Sequence, residues 1–187
     1  MLTTRAKESR QATAPTFRHW AGGPRVIVAL VFTDIVESTR IGNELGDEGM
    51  ELVRRAHFRQ ARKFIRRYRG YEIKTIGDSF MVAFRSAVEA LDFAVELHAN
   101  TGHQRVAIRA GLHIGTIRVE KEDAYGAMVN FASRVAGCAK GSEIWVSEHA
   151  MEELNAVGMP RHRDFLWVRR PARVLKGFPG RHQLWSI

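Results

Sequence analysis

The sequence predicts an α+β fold, a ferredoxin-like βαββαβ core with additional C-terminal strands and a helix, and three observations predict it. Val26 to Phe32 is continuously apolar and rich in β-branched residues, as a central strand covered on both faces requires. Tyr71–Ile76 and Phe80–Phe84 are strand-like runs flanking Gly77-Asp78, the pattern of a hairpin. Segments with apolar residues at spacings of three and four separate these runs, so helices and strands interleave and the sheet contains antiparallel neighbours.

Each element has a local reason. Residues 1–24 are polar and basic, contain Pro15 and Gly22-Gly23-Pro24, and read as a flexible leader to one domain over residues 25–187. Asp34 stands at the C-terminal end of the first strand. Ser38-Thr39 opens a short helix, and a long basic helix follows from about Asp47 to Arg69, with Gly70 as its stop. Ser86 to about Ala99 places Val88, Leu91, Ala94, Val95 and His98 on one helical stripe. Val106, Ile108, Ala110, Leu112 and Ile114 alternate as a strand, in which Gly111 and Gly115 permit close backbone approach. A helix over Ala127–Ala139, a strand at Glu143–Val146, a helix at Glu148–Ala156 and strands near Phe165–Arg170 and His182–Ile187 complete the chain. The helices are expected on one face of the sheet, and Arg118 to Ala124 reads as a short loop.

At 187 residues, 45% hydrophobic and 26% charged, the chain has room for a real core but not for a second full domain. Its longest apolar run is far too short to cross a bilayer, and no secretory signal opens it, so a cytoplasmic location is expected. The single cysteine, Cys138, excludes an internal disulfide, and the eight histidines show no zinc-ligand spacing. The formal charge of +9 favours an anionic partner. Much of it lies in one segment, with Arg54, Arg55, Arg59, Arg62, Lys63, Arg66, Arg67 and Arg69 and no acid among them. That segment is either a solvated helix face or an anionic docking surface.

Three stretches hold the residues suited to chemistry: Val31–Thr39, Glu72–Phe80 and Asp123–Arg134. Asp34, at a strand end, and Asp78, in a turn beside it, are hard oxygen donors that a hairpin would bring together. Lys74 lies in a partly buried strand, Asp123 in a charged segment, and Asn130 and Arg134 share one helical face. Taken singly, each is equally a capping, surface or loop residue; their number and order set them apart.

These stretches resemble the catalytic domains of class III nucleotide cyclases, the adenylyl and guanylyl cyclases, over about residues 26–187. The resemblance implies that Asp34, with the adjacent Ile35, and Asp78 bind two Mg2+ or Mn2+ ions per active site. It implies that Lys74 and Asp123 read the base, that Asn130 orients the ribose, and that Arg134 stabilises the reacting phosphate. Lys176, in Leu175-Lys-Gly177, resembles a lysine that holds the terminal phosphates. Backbone N–H groups around Ile35 to Ser38 would cradle phosphate oxygens. A head-to-tail homodimer is implied, with the carboxylates of one chain facing the other four residues of its twin. Adenine accepts at N1 and donates from its 6-amino group, complementary to a lysine and an aspartate, so the expectation is an adenylyl cyclase making 3′,5′-cyclic AMP from ATP.

One position departs from the family pattern: Glu37 stands where many members have glycine, near the expected phosphate cradle. The alternatives are a guanylyl cyclase and a catalytically weak nucleotide-binding scaffold dimer. An RNA-binding module is disfavoured because no aromatic RNP signature is present, so nucleic acid is not an expected partner. No P-loop motif occurs.

Overall fold

The computed structural model describes residues 15–158 and 165–187. In chain order these form α1 (Phe17–Ala21), β1 (Arg25–Ile35), α2 (Ser38–Arg67), β2 (Tyr71–Ile76), β3 (Ser79–Phe84), α3 (Ala87–Ala99), β4 (Ile108–Glu120), β5 (Asp123–Tyr125), α4 (Ala127–Cys138), β6 (Ile144–Ser147), α5 (Glu148–Ala156), β7 (Val168–Arg173) and β8 (His182–Ser186). The sheet runs β2-β3-β1-β4-β6-β8-β7, with β5 folded back on β4. Within it β2-β3-β1-β4 is the ferredoxin-like core, β3 lying antiparallel between β1 and β2, and β4 antiparallel to β1. The extension joins through β6, parallel to β4, followed by β8 and β7.

Alternation along β1 explains its continuous apolar run. Ala29, Val31 and Ile35 enter a core with Val53 and Phe64 of α2, Leu91 and Phe93 of α3 and Leu154 of α5. Val28 and Leu30 enter another with Phe17, Ile73, Met81, Ile117 and Ala132 of α4. Helices therefore cover both faces of the sheet, not one as expected. Gly111 shows why α4 can lie on the second face: a Cβ there would stand 2.1 Å from the Ala136 backbone nitrogen, so the helix rests directly on the strand. The glycines announced a close approach; which element approached is a tertiary fact.

Three further expectations change. Within the proposed leader, residues 1–14 lie outside the described residues, but Phe17 is fully buried and Trp20 packs on Tyr71, so this part is docked. Arg118–Ala124 is not a short loop: β4 continues to Glu120, and β5 pairs with it through Val119 and Ala124. The first C-terminal strand, expected near Phe165–Arg170, begins at Val168 and ends at Arg173. The short helix and the long one are both present in α2, separated by a kink at Gly46. Among the described residues no helix is long and apolar enough to cross a membrane.

His113 of β4 is buried between the sheet and α4, its Nδ1 2.8 Å from Ser147 Oγ and its Nε2 3.2 Å from Met128 Sδ. Burial, and secondarily the neighbouring His149, push its pKa down from 6.5 to about 4. The unfolded chain takes up a proton near pH 6.5, whereas the folded chain resists until about pH 4. Native stability is thus complete above the first value and declines as pH falls toward the second. His57, also lowered by burial, acts in the same direction. The urea midpoint is expected to fall between pH 7.5 and pH 5 by the equivalent of about 1–3 kcal/mol. A midpoint unchanged over that range would contradict the assignment of a neutral buried His113.

Candidate active site

The carboxylates meet through strand register. Thr33 pairs with Phe80, which sets Asp34 beside Ser79 and next to the Gly77-Asp78 turn. Ser79 Oγ donates to Asp34 Oδ1 at 2.8 Å. On the other edge of β1, Asp34 lies opposite Arg109 of β4, whose Nε donates to Asp34 Oδ2 at 2.9 Å, with a second contact from Nη2. Arg109 is a site residue that the sequence reading missed. The two are 75 positions apart, and only the β1–β4 register makes them cross-strand partners.

Asp78 carries a buried Oδ2 without a hydrogen-bond partner among the described residues. A carboxylate oxygen so placed needs a cation or a donor. Together with Asp34 it offers hard oxygen donors at one end of the sheet, a set that fits a small divalent cation completing its shell with substrate phosphates. Among the described residues no group of three or more His, Cys, Asp or Glu could hold a metal ion, so the protein's share of such a shell is small. A cavity of about 390 Å³ beside Asp78 is lined by Ser38, Thr39, Asp47 and Arg54, among others.

Ile35 closes β1 with its side chain in the core, so only its main chain is available to the site. The phosphate cradle expected across Ile35 to Ser38 is narrower than its sequence span, because the Val36 N–H is spent on the Ala107 carbonyl at 2.8 Å. Glu37 precedes α2 with φ 55°, the left-handed conformation in which glycine carries no steric cost. This accounts physically for a glycine preference there. Its carboxylate accepts from Arg40 Nε at 2.8 Å, which offsets its charge.

Lys74 is aimed by a β-bulge. Glu72 pairs with Val82 and Lys74 with Met81, so Ile73 is an extra residue on β2. Val82 faces the core shared with α2, and Met81 faces the core shared with α4. The bulge therefore moves Lys74 to the α4 side, where its Nζ donates to Asp123 Oδ2 at 2.6 Å. The other Asp123 oxygen, Oδ1, accepts from the Ala124 N–H at 2.8 Å. Both residues line a cavity of about 370 Å³ with Ile73, Glu120, Lys121, Glu122 and Tyr125. Glu122 ties this hairpin down: its Oε2 accepts from the Phe17 N–H at 2.7 Å and from Tyr71 Oη at 3.0 Å. Burial and then Glu122 push the Tyr71 pKa up to about 12, so the phenol remains a donor at neutral pH.

Asn130 and Arg134 are exposed on one face of α4, without side-chain partners among the described residues. Phe131 and Val135 anchor that helix in a cluster that also contains Leu175. Lys176 follows Leu175 in a turn closed by the Phe178 N–H on the Leu175 carbonyl at 3.0 Å, which sets it near α4. The structure thus brings together Asp34 with the Gly77-Asp78 turn and Lys74 with Asp123, and it sets the Lys176 turn against α4, the helix that carries Asn130 and Arg134. The cavity beside Asp78 and that beside Lys74 share no lining residue within the chain.

Residues 24–187 match the adenylate and guanylate cyclase catalytic domain. Among curated proteins, the adenylate cyclase of Podospora anserina is 33% identical over 162 residues, covering 70% of this chain and 8% of that protein. The chain thus spans only a small part of that relative. Among solved structures, an adenylate cyclase of Trypanosoma brucei in its monomeric state is 25% identical with a TM-score of 0.72, covering 86% of this chain and 88% of that one. The guanylate cyclase domain of RhGC from Catenaria anguillulae, in complex with GTP, shares the fold at 21% identity and a TM-score of 0.72, over 86% of this chain and 94% of that one.

Glu122→Ala removes the acceptor shared by Phe17 and Tyr71. The expected loss is about 1 kcal/mol in urea denaturation, and a double-mutant cycle with Tyr71→Phe should return a coupling of about 0.5–1.5 kcal/mol. Strict additivity of the two losses would show that the bond contributes nothing.

Proposed function

The chain belongs to the adenylate and guanylate cyclase catalytic domain family, and we propose that it is an adenylyl cyclase, converting ATP to 3′,5′-cyclic AMP and pyrophosphate at sites shared across a head-to-tail homodimer. The observation that carries the choice of base is the Lys74–Asp123 pair, with 2.6 Å between Nζ and Oδ2. An ammonium has three protons to donate and a carboxylate has spare lone pairs, so the pair keeps capacity for a ligand. Lys74 would donate to adenine N1 and Asp123 accept from the 6-amino group. Guanine reverses both and would leave two charged groups mispaired, a penalty of about 1–3 kcal/mol. The fold leaves the base open, because a domain of the same shape binds GTP.

Asp34 and Asp78 would hold the divalent ions, whose chemistry when bound is to acidify the ribose 3′-hydroxyl and offset the triphosphate charge. Arg109, whose guanidinium donates to Asp34 Oδ2 from the neighbouring strand, orients that carboxylate. Asn130 would orient the ribose so that its 3′-oxygen lies in line with the α-phosphorus. A bond forms between those atoms as the 3′-hydroxyl proton passes to solvent, the bond from the α-phosphorus to the bridging oxygen breaks, and pyrophosphate leaves. Arg134 would stabilise charge that builds on the α-phosphate, accelerating the step to the extent that it binds the transition state more tightly than ATP. Lys176 would hold the terminal phosphates.

The separation of the Asp78 and Lys74 cavities within one chain supports the shared-site reading. Arg134 of one chain would then serve the carboxylates of its twin.

Purified protein incubated with Mg2+ or Mn2+ should form cyclic AMP from ATP and turn over GTP with a kcat/KM about tenfold or more lower. Comparable turnover of both would remove the base-reading role of Lys74 and Asp123. Asp34→Ala and Arg134→Ala chains should each be inactive alone, whereas a mixture that forms heterodimers should recover one intact site. No recovery despite proven pairing would exclude shared sites.

A further inference from the structure

The groove along α2 is a concave feature that the cyclase reading leaves unused. Its volume is about 570 Å³, and it is lined by Arg54, Arg55, Arg59, Arg62 and Arg66 together with Glu51, Phe58, Thr75 and Gly77. Arg55, Arg59, Arg62 and Arg66 follow spacings of four, three and four, so they form one stripe along the helix. Most basic residues near it are already matched. Glu51 takes Arg54 and Arg55, and Glu72 takes Arg62 through two bonds of 2.8 and 2.7 Å. Arg59 and Arg66 have no side-chain partner among the described residues. Two guanidinium groups therefore face a concave wall that carries excess positive charge. The groove meets the cavity beside Asp78, the two sharing Glu51, Arg54 and Gly77.

We propose that this groove is a binding site for a short polyphosphate chain, of the class of inorganic tripolyphosphate, with Arg59 and Arg66 as its principal contacts. Guanidinium forks match phosphate oxygens in geometry and charge, and an arginine row suits several phosphates joined in a line. Nucleic acid fits less well. The aromatic ring in the groove, Phe58, already packs against Arg62 at 5.5 Å, Arg54 at 5.9 Å and the Phe80 ring at 4.6 Å, so a base would have to compete with these contacts to stack on it. A bilayer surface fits less well too, because the apolar stripe of α2 is turned into the core and Leu52 is its one large exposed apolar side chain among the described residues. The groove adjoins the cavity beside Asp78, but none of Asp34, Asp78, Lys74, Asp123, Asn130 and Arg134 lines it.

Titration calorimetry of the full chain at low salt without divalent metal, with inorganic tripolyphosphate as the probe, tests this directly. About one chain of phosphate should bind per protein chain, and Arg59→Gln/Arg66→Gln should weaken binding about tenfold or more. Arg181→Gln, which removes a surface charge elsewhere, should change it less than about twofold. Glu51→Gln should tighten binding by releasing Arg54 and Arg55, a gain that a misfolded variant cannot mimic. Equal weakening by all arginine variants would reduce the effect to general charge and overturn the proposal. So would unchanged binding in the double variant, or tighter, equally arginine-dependent binding of an oligothymidylate or of vesicles containing anionic lipid.

Discussion

The registration of β1 between β3 and β4 is the constraint on which the candidate site depends. Eleven residues of β1 pair with β4, from Arg25–Arg118 to Ile35–Ile108, and Ala29 to Thr33 pair with β3. One residue of slip would carry Asp34 to the other face of the sheet, away from Ser79 and Arg109, and would push Val28 and Leu30 into the core shaped around Ala29 and Val31. Burial of both faces of this strand thus holds the register that the chemistry needs. The apolar core and the carboxylate site are secured by the same ladder.

A second constraint acts across the sheet. β2 and β4 are separated by β3 and β1, yet Lys74 and Tyr71 of β2 reach Asp123 and Glu122 at the start of β5 and in the turn before it. The hairpin of β4 and β5 closes over the face occupied by α1, and Phe17 fills the space between. The Ile73 bulge makes this possible, since an unbulged β2 would turn Lys74 toward α2. An irregularity in one strand, a docked helical turn and an exposed glutamate are therefore all needed to define one ion pair. The pair lies at 39% and 28% side-chain exposure, so its Coulomb energy is screened; its value is geometric, in holding a donor and an acceptor at a set separation.

Charge is organised more tightly than the composition suggests. Arg40 bridges Glu37 and Glu44, Arg67 meets Glu96, and Arg62 meets Glu72, so acids from distant segments answer many of the cations concentrated on α2. Among the described residues, Arg59 and Arg66, which line the groove that meets the Asp78 cavity, are left without an acidic partner. Exposed pairs of this kind contribute little stability individually, and their larger effect is to decide where positive potential is left over.

Much was legible in the chain alone. The interleaved periodicities determined the βαββαβ core, the apolar run determined a central strand, and Gly77-Asp78 determined the hairpin, because local patterns of period two and near four are set by backbone geometry. Asp34, Lys74, Asp78, Asp123, Asn130 and Arg134 could be named as candidates from residue type and order, which need no coordinates. Only the tertiary structure decided that α4 covers the second face, that β4 runs on into a hairpin, that Phe17 is docked, and that Arg109 holds Asp34. It alone showed that a bulge aims Lys74. These depend on register and on contacts between residues far apart in sequence, and no local periodicity encodes which strands will lie side by side.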